Sequence, residues 1–185
     1  WTVQKPSTLA TQASSKISSY WHMARIIIGF MGSGKTTISS LLDEDYVDMD
    51  AVIVERIGMP IADFFEKEGE ARFREIESQV LAELIASDRV IATGGGIVTS
   101  AANRALLAEN PETIYLKADF DTLYNRIQKD TKNVRPLFVN NSKEDFKAIF
   151  DGRQDLYESV ANRIIEVAGK TPKDIIEEIG WKLVT

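Results

Sequence analysis

Short apolar runs recur along the chain, separated by longer helix-like segments in which apolar and charged residues mix. Runs at 25–28, 46–49, 89–92, 113–116 and 163–167 have the length and composition of buried strands. The segments 34–42, 61–66, 70–86, 103–108, 121–129, 143–157 and 172–183 read as helices. The last has a strong start: Thr171 as N-cap, Pro172 at the first helical position and Asp174 three residues after the cap. Strand and helix alternate from Arg25 onward, which predicts an α/β fold with a parallel sheet covered by helices on both faces. No internal repeat is visible. The pattern breaks between 130 and 141 into a polar, basic stretch around Arg135-Pro136, a lid segment or a plain surface loop.

The first run leads into Gly29-Phe-Met-Gly-Ser-Gly-Lys-Thr36, a complete G-x-x-x-x-G-K-[ST] phosphate-binding loop, and a helix-like segment follows it. That strand–loop–helix context separates the motif from a chance glycine-rich turn. Its glycines let backbone N–H groups turn inward around an anion, and the helix start adds the positive end of its dipole. Lys35 would reach the outer phosphates and the Thr36 hydroxyl would hold Mg²⁺. The expected ligand is a nucleoside triphosphate.

Composition narrows the classes. A chain of 185 residues, 44% hydrophobic and 27% charged, suits one domain with a proper core. No apolar stretch reaches the length of a membrane span. The chain has no cysteine, so disulfides, thiolate metal sites and cysteine nucleophiles are excluded. A net charge of −6 argues against nonspecific nucleic-acid binding, so an anionic substrate would need a local cluster of Arg and Lys. Residues 1–22 are rich in Ser and Thr and lack Asp and Glu. They read as a vector-derived leader or a transit-like segment. The leader is favoured because the first strand starts at Arg25 with no linker. The one histidine, His22, falls there, which removes histidine catalysis.

Further candidate chemistry sits at the expected strand ends. Asp48-Met49-Asp50 closes the second run, and strand alternation sends both carboxylates to one side. At the carboxyl edge of a parallel sheet, beside a phosphate loop, one would reach the Mg²⁺ water shell and the other a substrate hydroxyl. The alternative is a solvated strand end. Arg74 and Glu77 share a helix face, either as a solvated pair or with Glu77 orienting the guanidinium for an anionic ligand. Thr93-Gly94-Gly95-Gly96 follows the third run and lets a ligand approach the backbone. Arg135-Pro136-Leu137 and Arg153-x-x-x-Tyr157 supply further guanidinium groups.

The order of these pieces closely resembles the shikimate kinases, over residues 23 to about 172. The resemblance implies an α/β, three-layer P-loop kinase domain over 23–185, with a five-stranded parallel sheet in the order 2-3-1-4-5. It also implies a substrate-binding segment at about 50–80 and a mobile lid at about 130–141. The implied activity is transfer of the γ-phosphate of ATP, with Mg²⁺, to the 3-hydroxyl of shikimate in aromatic amino-acid biosynthesis. Gly32, Ser33, Gly34, Lys35, Thr36 and Thr37 would cradle the ATP phosphates, and Thr36 and Asp48 would hold the metal. Asp50 would bind the shikimate hydroxyls as candidate base. Arg74 and Arg153 would clamp the carboxylate, with Gly94, Gly95 and Gly96 closing the pocket. Arg135 would swing onto the phosphates, and Lys170 falls where the family contacts adenine. A cytoplasmic monomer is implied, or a plastid protein if 1–22 is a native transit segment, with no nucleic-acid or membrane partner.

The chain departs from the family pattern at three places. Thr36 stands where Ser is commoner, Phe138 stands where a second Leu usually follows Arg-Pro-Leu, and residues 39–46 are about a turn short. A related gluconate or nucleotide kinase is the nearest rival. A nucleotide acceptor would need an additional phosphate clamp. A non-catalytic regulator of this fold would be expected to lose Asp50, Arg74 or Arg153, and all three are present.

Overall fold

The structure, a computed structural model, describes residues 23–133 and 135–180. Its centre is β1 (Arg25–Ile28), in which Ile26, Ile27 and Ile28 are fully buried. A strand buried on both faces needs an unbroken apolar run rather than alternation, and this one has it. It pairs in parallel with β3 (Val90–Ala92) on one side and β4 (Thr113–Lys117) on the other. β2 (Val47–Asp48) extends the sheet beyond β3, and β5 (Arg163–Glu166) extends it beyond β4. The order β2-β3-β1-β4-β5 is the one expected. All strands being parallel, the ends of β1, β3 and β2 come to the same sheet edge side by side, where α/β folds bind ligands.

The helices are α1 (Lys35–Leu42), α2 (Met49–Ile57), α3 (Ile61–Glu68), α4 (Glu70–Ile85), α5 (Ala101–Glu109), α6 (Phe120–Lys129), α7 (Pro136–Val139), α8 (Lys143–Val160) and α9 (Pro172–Ile179). A 3₁₀ turn, Ile97–Thr99, follows the glycines after β3. In α9 the reciprocal Thr171–Asp174 capping box forms as expected. Arg163 donates to the carbonyls of Glu178 and Ile179 and so ties β5 to the end of that helix.

Three expectations need correction. The run 46–49 does not stay extended: β2 ends at Asp48, whose side chain accepts from the Asp50 and Ala51 amides as the N-cap of α2. That helix, closed by Gly58 at φ 70°, was absent from the sequence reading. Asp50 is therefore the second residue of a helix, and strand alternation does not explain its direction. The segment 130–141 contains the short helix α7, started by Pro136 at its first position. The helix expected over 172–183 stops at Ile179, where Gly180 turns left-handed at φ 74°. Positions 181–183, like the leader 1–22 with His22, lie outside the described residues.

An aromatic cluster joins the phosphate loop to α7. Phe30 meets Phe150 edge-on at 5.3 Å and Phe146 at 5.4 Å. Phe138 of α7 packs against Tyr124 at 5.3 Å and edge-on against Phe146 at 5.6 Å. Edge-to-face pairs of this kind contribute about 0.5–1.5 kcal/mol beyond their buried area. Phe138 thus uses its larger ring to dock α7 onto α6 and α8.

Candidate active site

The phosphate loop turns tightly at Gly29, where a Cβ would lie 2.7 Å from Ser33 Oγ and 2.8 Å from the Leu116 carbonyl. Only glycine fits that approach. α1 starts at Lys35 with Gly34 as N-cap and no side chain capping its first turn. Its leading N–H groups, with the exposed Thr36 and Thr37, are therefore free to receive an anion. Ser33 is buried, and its Oγ has no hydrogen-bond partner among the described residues. Lys35 Nζ donates to the carbonyls of Gly29 at 2.6 Å and Phe30 at 3.1 Å, lying across the loop it serves. Although the stem is partly exposed, burial of the ammonium brings its pKa down to about 8. Asp50 opposes that shift, while Arg135 and Arg153 add to it, so all four charges face one space. Arg126 of α6 also reaches the loop, donating to the Gly32 carbonyl at 3.3 Å.

Asp50 reaches the turn after β3 by a route other than alternation, with Asp48 beside it. Asp48 is exposed at the end of β2, and both backbone bonds, from Asp50 at 3.1 Å and Ala51 at 3.4 Å, fall on its Oδ1. Asp50, in the first turn of α2, is half-buried and points at the glycine turn after β3. Burial raises its pKa above the ordinary carboxylate value, and Asp48 raises it further, against the pull of Lys35 and Arg74.

The three glycines after β3 each adjoin a different functional side chain. A Cβ on Gly94 would lie 2.8 Å from Asp50 Oδ1, and one on Gly96 would lie 2.5 Å from Arg74 Nη2. One on Gly95 would lie 3.7 Å from Arg153 Nη1 and 3.6 Å from the Met31 amide of the phosphate loop. Thr93 fixes the approach to the turn, its hydroxyl donating to the Ile27 carbonyl of β1 at 2.9 Å.

Arg74 is held from several sides. Its Nη1 pairs with Glu77 Oε1 at 2.9 Å and its Nη2 with Glu70 Oε1 at 3.3 Å. The guanidinium lies over the Phe73 ring at 5.2 Å and the Phe65 ring at 5.8 Å. Glu77 is only 2% exposed, so the pair is not a solvated one. Its Oε1 also accepts from Asn103 Nδ2 at 2.8 Å, and Ser78 donates to Asn103 Oδ1 at 2.5 Å. Burial leads in raising the Glu77 pKa, and the Arg74 charge leads in opposing it. Arg153 lies over the Phe30 ring at 5.9 Å, and Tyr157, one turn along α8, donates to the Gly95 carbonyl.

Arg135 precedes α7 and pairs with Asp130 at 3.4 Å; its buried Nε has no partner among the described residues. Lys170 pairs with Glu178 of α9 at 2.5 Å rather than with any group of the phosphate loop. Sequence reasoning missed Asn103, Phe65 and Arg126. Each acts across 9 to 94 positions, or from an ordinary surface spacing, and carries no local signal. No cluster of three or more His, Cys, Asp or Glu able to hold a metal occurs among the described residues. The exposed Thr36 hydroxyl and Asp48 carboxylate are hard oxygen donors. They suit Mg²⁺, which keeps several waters and shares itself with phosphates.

The sequence profile described as shikimate kinase matches residues 31–183. A shikimate kinase of Streptococcus gordonii is 53% identical over 158 residues, spanning 85% of this chain and 98% of that protein. One from Streptococcus thermophilus is 51% identical over 156 residues, spanning 83% and 96%. The shikimate kinase of Acinetobacter baumannii, solved in complex with shikimate, superposes with a TM-score of 0.76 at 33% identity, covering 88% of this chain and 93% of that one. The match runs from the phosphate loop through the last described helix, and the relatives align over nearly their whole length: the chain belongs to the shikimate kinase family.

Proposed function

We propose that the phosphate loop, Asp50 and the two arginines Arg74 and Arg153 carry out the family's reaction in this chain, ATP-dependent phosphorylation of the 3-hydroxyl of shikimate in aromatic amino-acid biosynthesis. The observation that carries the assignment of roles is the 94–96 turn. It sets one carboxylate and two guanidinium groups around a single strand end beside the phosphate loop. That set suits an acceptor bearing both hydroxyls and a carboxylate. Arg74 and Arg153 grip the carboxylate, which guanidinium groups match in shape as well as charge. Asp50 accepts from the reacting hydroxyl and aligns its oxygen. That oxygen bonds to the γ-phosphorus as the bond to the β–γ bridging oxygen breaks, ADP leaves, and the hydroxyl proton passes to Asp50 or to solvent.

Such a transfer asks the protein mainly for positioning and charge stabilisation. Lys35 and the N–H groups around residues 32–37 hold the phosphates, and Arg135 swings from Asp130 onto them as the lid 130–141 closes. Thr36 and Asp48 would hold Mg²⁺, which would add to the neutralisation of the phosphate charge. Lys170 contacts the adenine side, and residues 50–80 form the acceptor-binding face. The reading has a monomer at work, in the cytoplasm. Among the described residues no helix is long and apolar enough to cross a membrane.

The test is ADP release from ATP with shikimate, with gluconate and with no acceptor. Release dependent on shikimate alone is expected. Equal release with gluconate, or none above background with shikimate, would overturn the reading.

A further inference from the structure

Arg153 and Tyr157 stand one turn apart on α8 and so share a face of that helix. The proposed function uses the arginine and leaves the tyrosine without a task. Tyr157 is nevertheless one of the largest fully buried side chains, at 1% exposure. Its ring stacks on Tyr115 of β4, with centroids 5.0 Å apart and planes 25° from parallel. Its hydroxyl donates to the Gly95 carbonyl, and the Arg153 charge faces it closely enough to favour its ionised form.

The chemistry of the three partners makes the hydroxyl a specific joint. The carbonyl asks its neighbour to donate, and the positive guanidinium asks it to present a lone pair. A phenol does both, and a phenyl ring does neither. Gly95 lies between the glycine that adjoins Asp50 and the one that adjoins Arg74, so a shift of its carbonyl displaces both neighbours. The Gly95 Cβ position also adjoins Arg153 Nη1 and the Met31 amide, which puts the held backbone between the arginine and the phosphate loop.

We propose that Tyr157 is a positioning residue for acceptor binding: its hydroxyl couples the Arg153 guanidinium to the backbone of the 94–96 turn and sets the spacing of the pocket that receives the acceptor's carboxylate. The inference rests on the assignment of Arg153 and that turn to the shikimate pocket. Tyr157 acts through Gly95 and Arg153 rather than on a substrate. Its effect belongs to acceptor affinity, because the joint lies on the acceptor side of the turn and the nucleotide is held by other groups.

Tyr157→Phe keeps the stacked ring and removes only the joint. Leaving a buried carbonyl without its donor corresponds to about tenfold in an equilibrium. The shikimate KM is expected to rise about tenfold, with the ATP KM within about twofold and kcat falling less than KM rises. Tyr115→Phe is the control, since it strips a hydroxyl from the other ring of the stack, near Glu158 and Glu166, without touching Gly95. It should leave the shikimate KM unchanged whatever it does to the melting temperature. A double-mutant cycle of Tyr157→Phe with Arg153→Lys should be non-additive in shikimate affinity. A native shikimate KM in Tyr157→Phe, an equal rise in Tyr115→Phe, or strict additivity would overturn the proposal. So would a Tyr157→Phe chain that fails to fold while Tyr115→Phe folds, because the hydroxyl would then serve the fold. Failure of the substrate assignment reads differently, as no shikimate-dependent ADP release in the unaltered chain.

Discussion

Gly94 and Asp50 occupy adjoining space: a Cβ on the glycine would stand 2.8 Å from Oδ1 and 3.2 Å from Oδ2 of the carboxylate. The same turn brings Gly96 against Arg74, at 2.5 Å from Nη2. Neither position requires a left-handed backbone, so the demand for glycine here is one of room. Gly94→Ala should push Asp50 aside and lower kcat by about tenfold or more, the scale of a disturbed general base. Gly96→Ala should displace the guanidinium and raise the shikimate KM with a smaller change in kcat. Steady-state kinetics of the two variants checks the split. Matching profiles, or a raised ATP KM in either, would count against the separate roles.

The phosphate loop was legible because anion binding fixes residue types at a fixed spacing, from Gly29 to Thr36. β1 was legible because a central parallel strand is apolar on both faces. α2 was not. Its Asp-Ala-Val-Ile-Val stretch carries β-branched residues that give a weak helix signal, and what makes it a helix is the Asp48 cap and packing against α4. The meaning of the Arg74–Glu77 spacing was open for a related reason. Helical spacing is the same for a solvated pair and a buried one, and only the tertiary burial of Glu77, with its partner Asn103 26 positions on, tells them apart.

Lys35→Ala removes a point charge from the developing phosphoryl transition state and leaves the surrounding core untouched. Turnover should fall about 10²-fold or more, the usual loss for one preorganised electrostatic contact. The thermal midpoint should hold or rise, because the variant no longer buries an ammonium whose pKa is already pulled down to about 8. Near-native turnover would show that this loop does not serve the chemistry.

Glu77 gives the pocket a pH dependence with an unusual sign. Burial raises its pKa above the ordinary value of 4.5, so the folded chain holds this proton more tightly than the unfolded one. Between those two values the folded state binds more protons, and this group's contribution to stability falls as pH rises through the window. Binding runs the other way. Protonation removes the charge that orients Arg74, so the shikimate KM should rise as pH falls through the folded value. Asn103→Ala deletes a donor to the carboxylate and should move that midpoint upward. Asp50 also titrates above the ordinary range, and Glu77→Gln separates the two: an acid rise in KM that survives in Glu77→Gln belongs to Asp50. An unmoved midpoint in Asn103→Ala would remove Asn103 from the clamp.

The lid should report its closure through Arg135. In the structure this arginine pairs with Asp130, which also accepts from the amides of Lys132 and Asn133, so the start of the segment is organised around one carboxylate. Swinging onto the phosphates breaks the Arg135–Asp130 pair. Hydrogen exchange across 130–141 should slow when nucleotide and shikimate are both present, and less with either alone. Protection that is unchanged on forming the ternary complex would show that the segment is a plain surface loop.

Asp50→Asn separates binding from chemistry at the remaining carboxylate. The amide keeps the size and part of the hydrogen bonding, and it loses the charge and the ability to take a proton. Shikimate should still bind through Arg74 and Arg153, more weakly because one hydroxyl acceptor is degraded. If Asp50 takes the proton or aligns the attacking oxygen, kcat should fall about 10²-fold or more, the usual scale for a positioned general base. If it serves binding alone, KM should rise while kcat holds, because ground state and transition state then lose the same contact. Its setting favours the first outcome: burial and the neighbouring Asp48 raise its proton affinity, and the Lys35 and Arg74 charges keep the carboxylate form within reach. Full kcat in Asp50→Asn at saturating shikimate would reduce Asp50 to a binding residue.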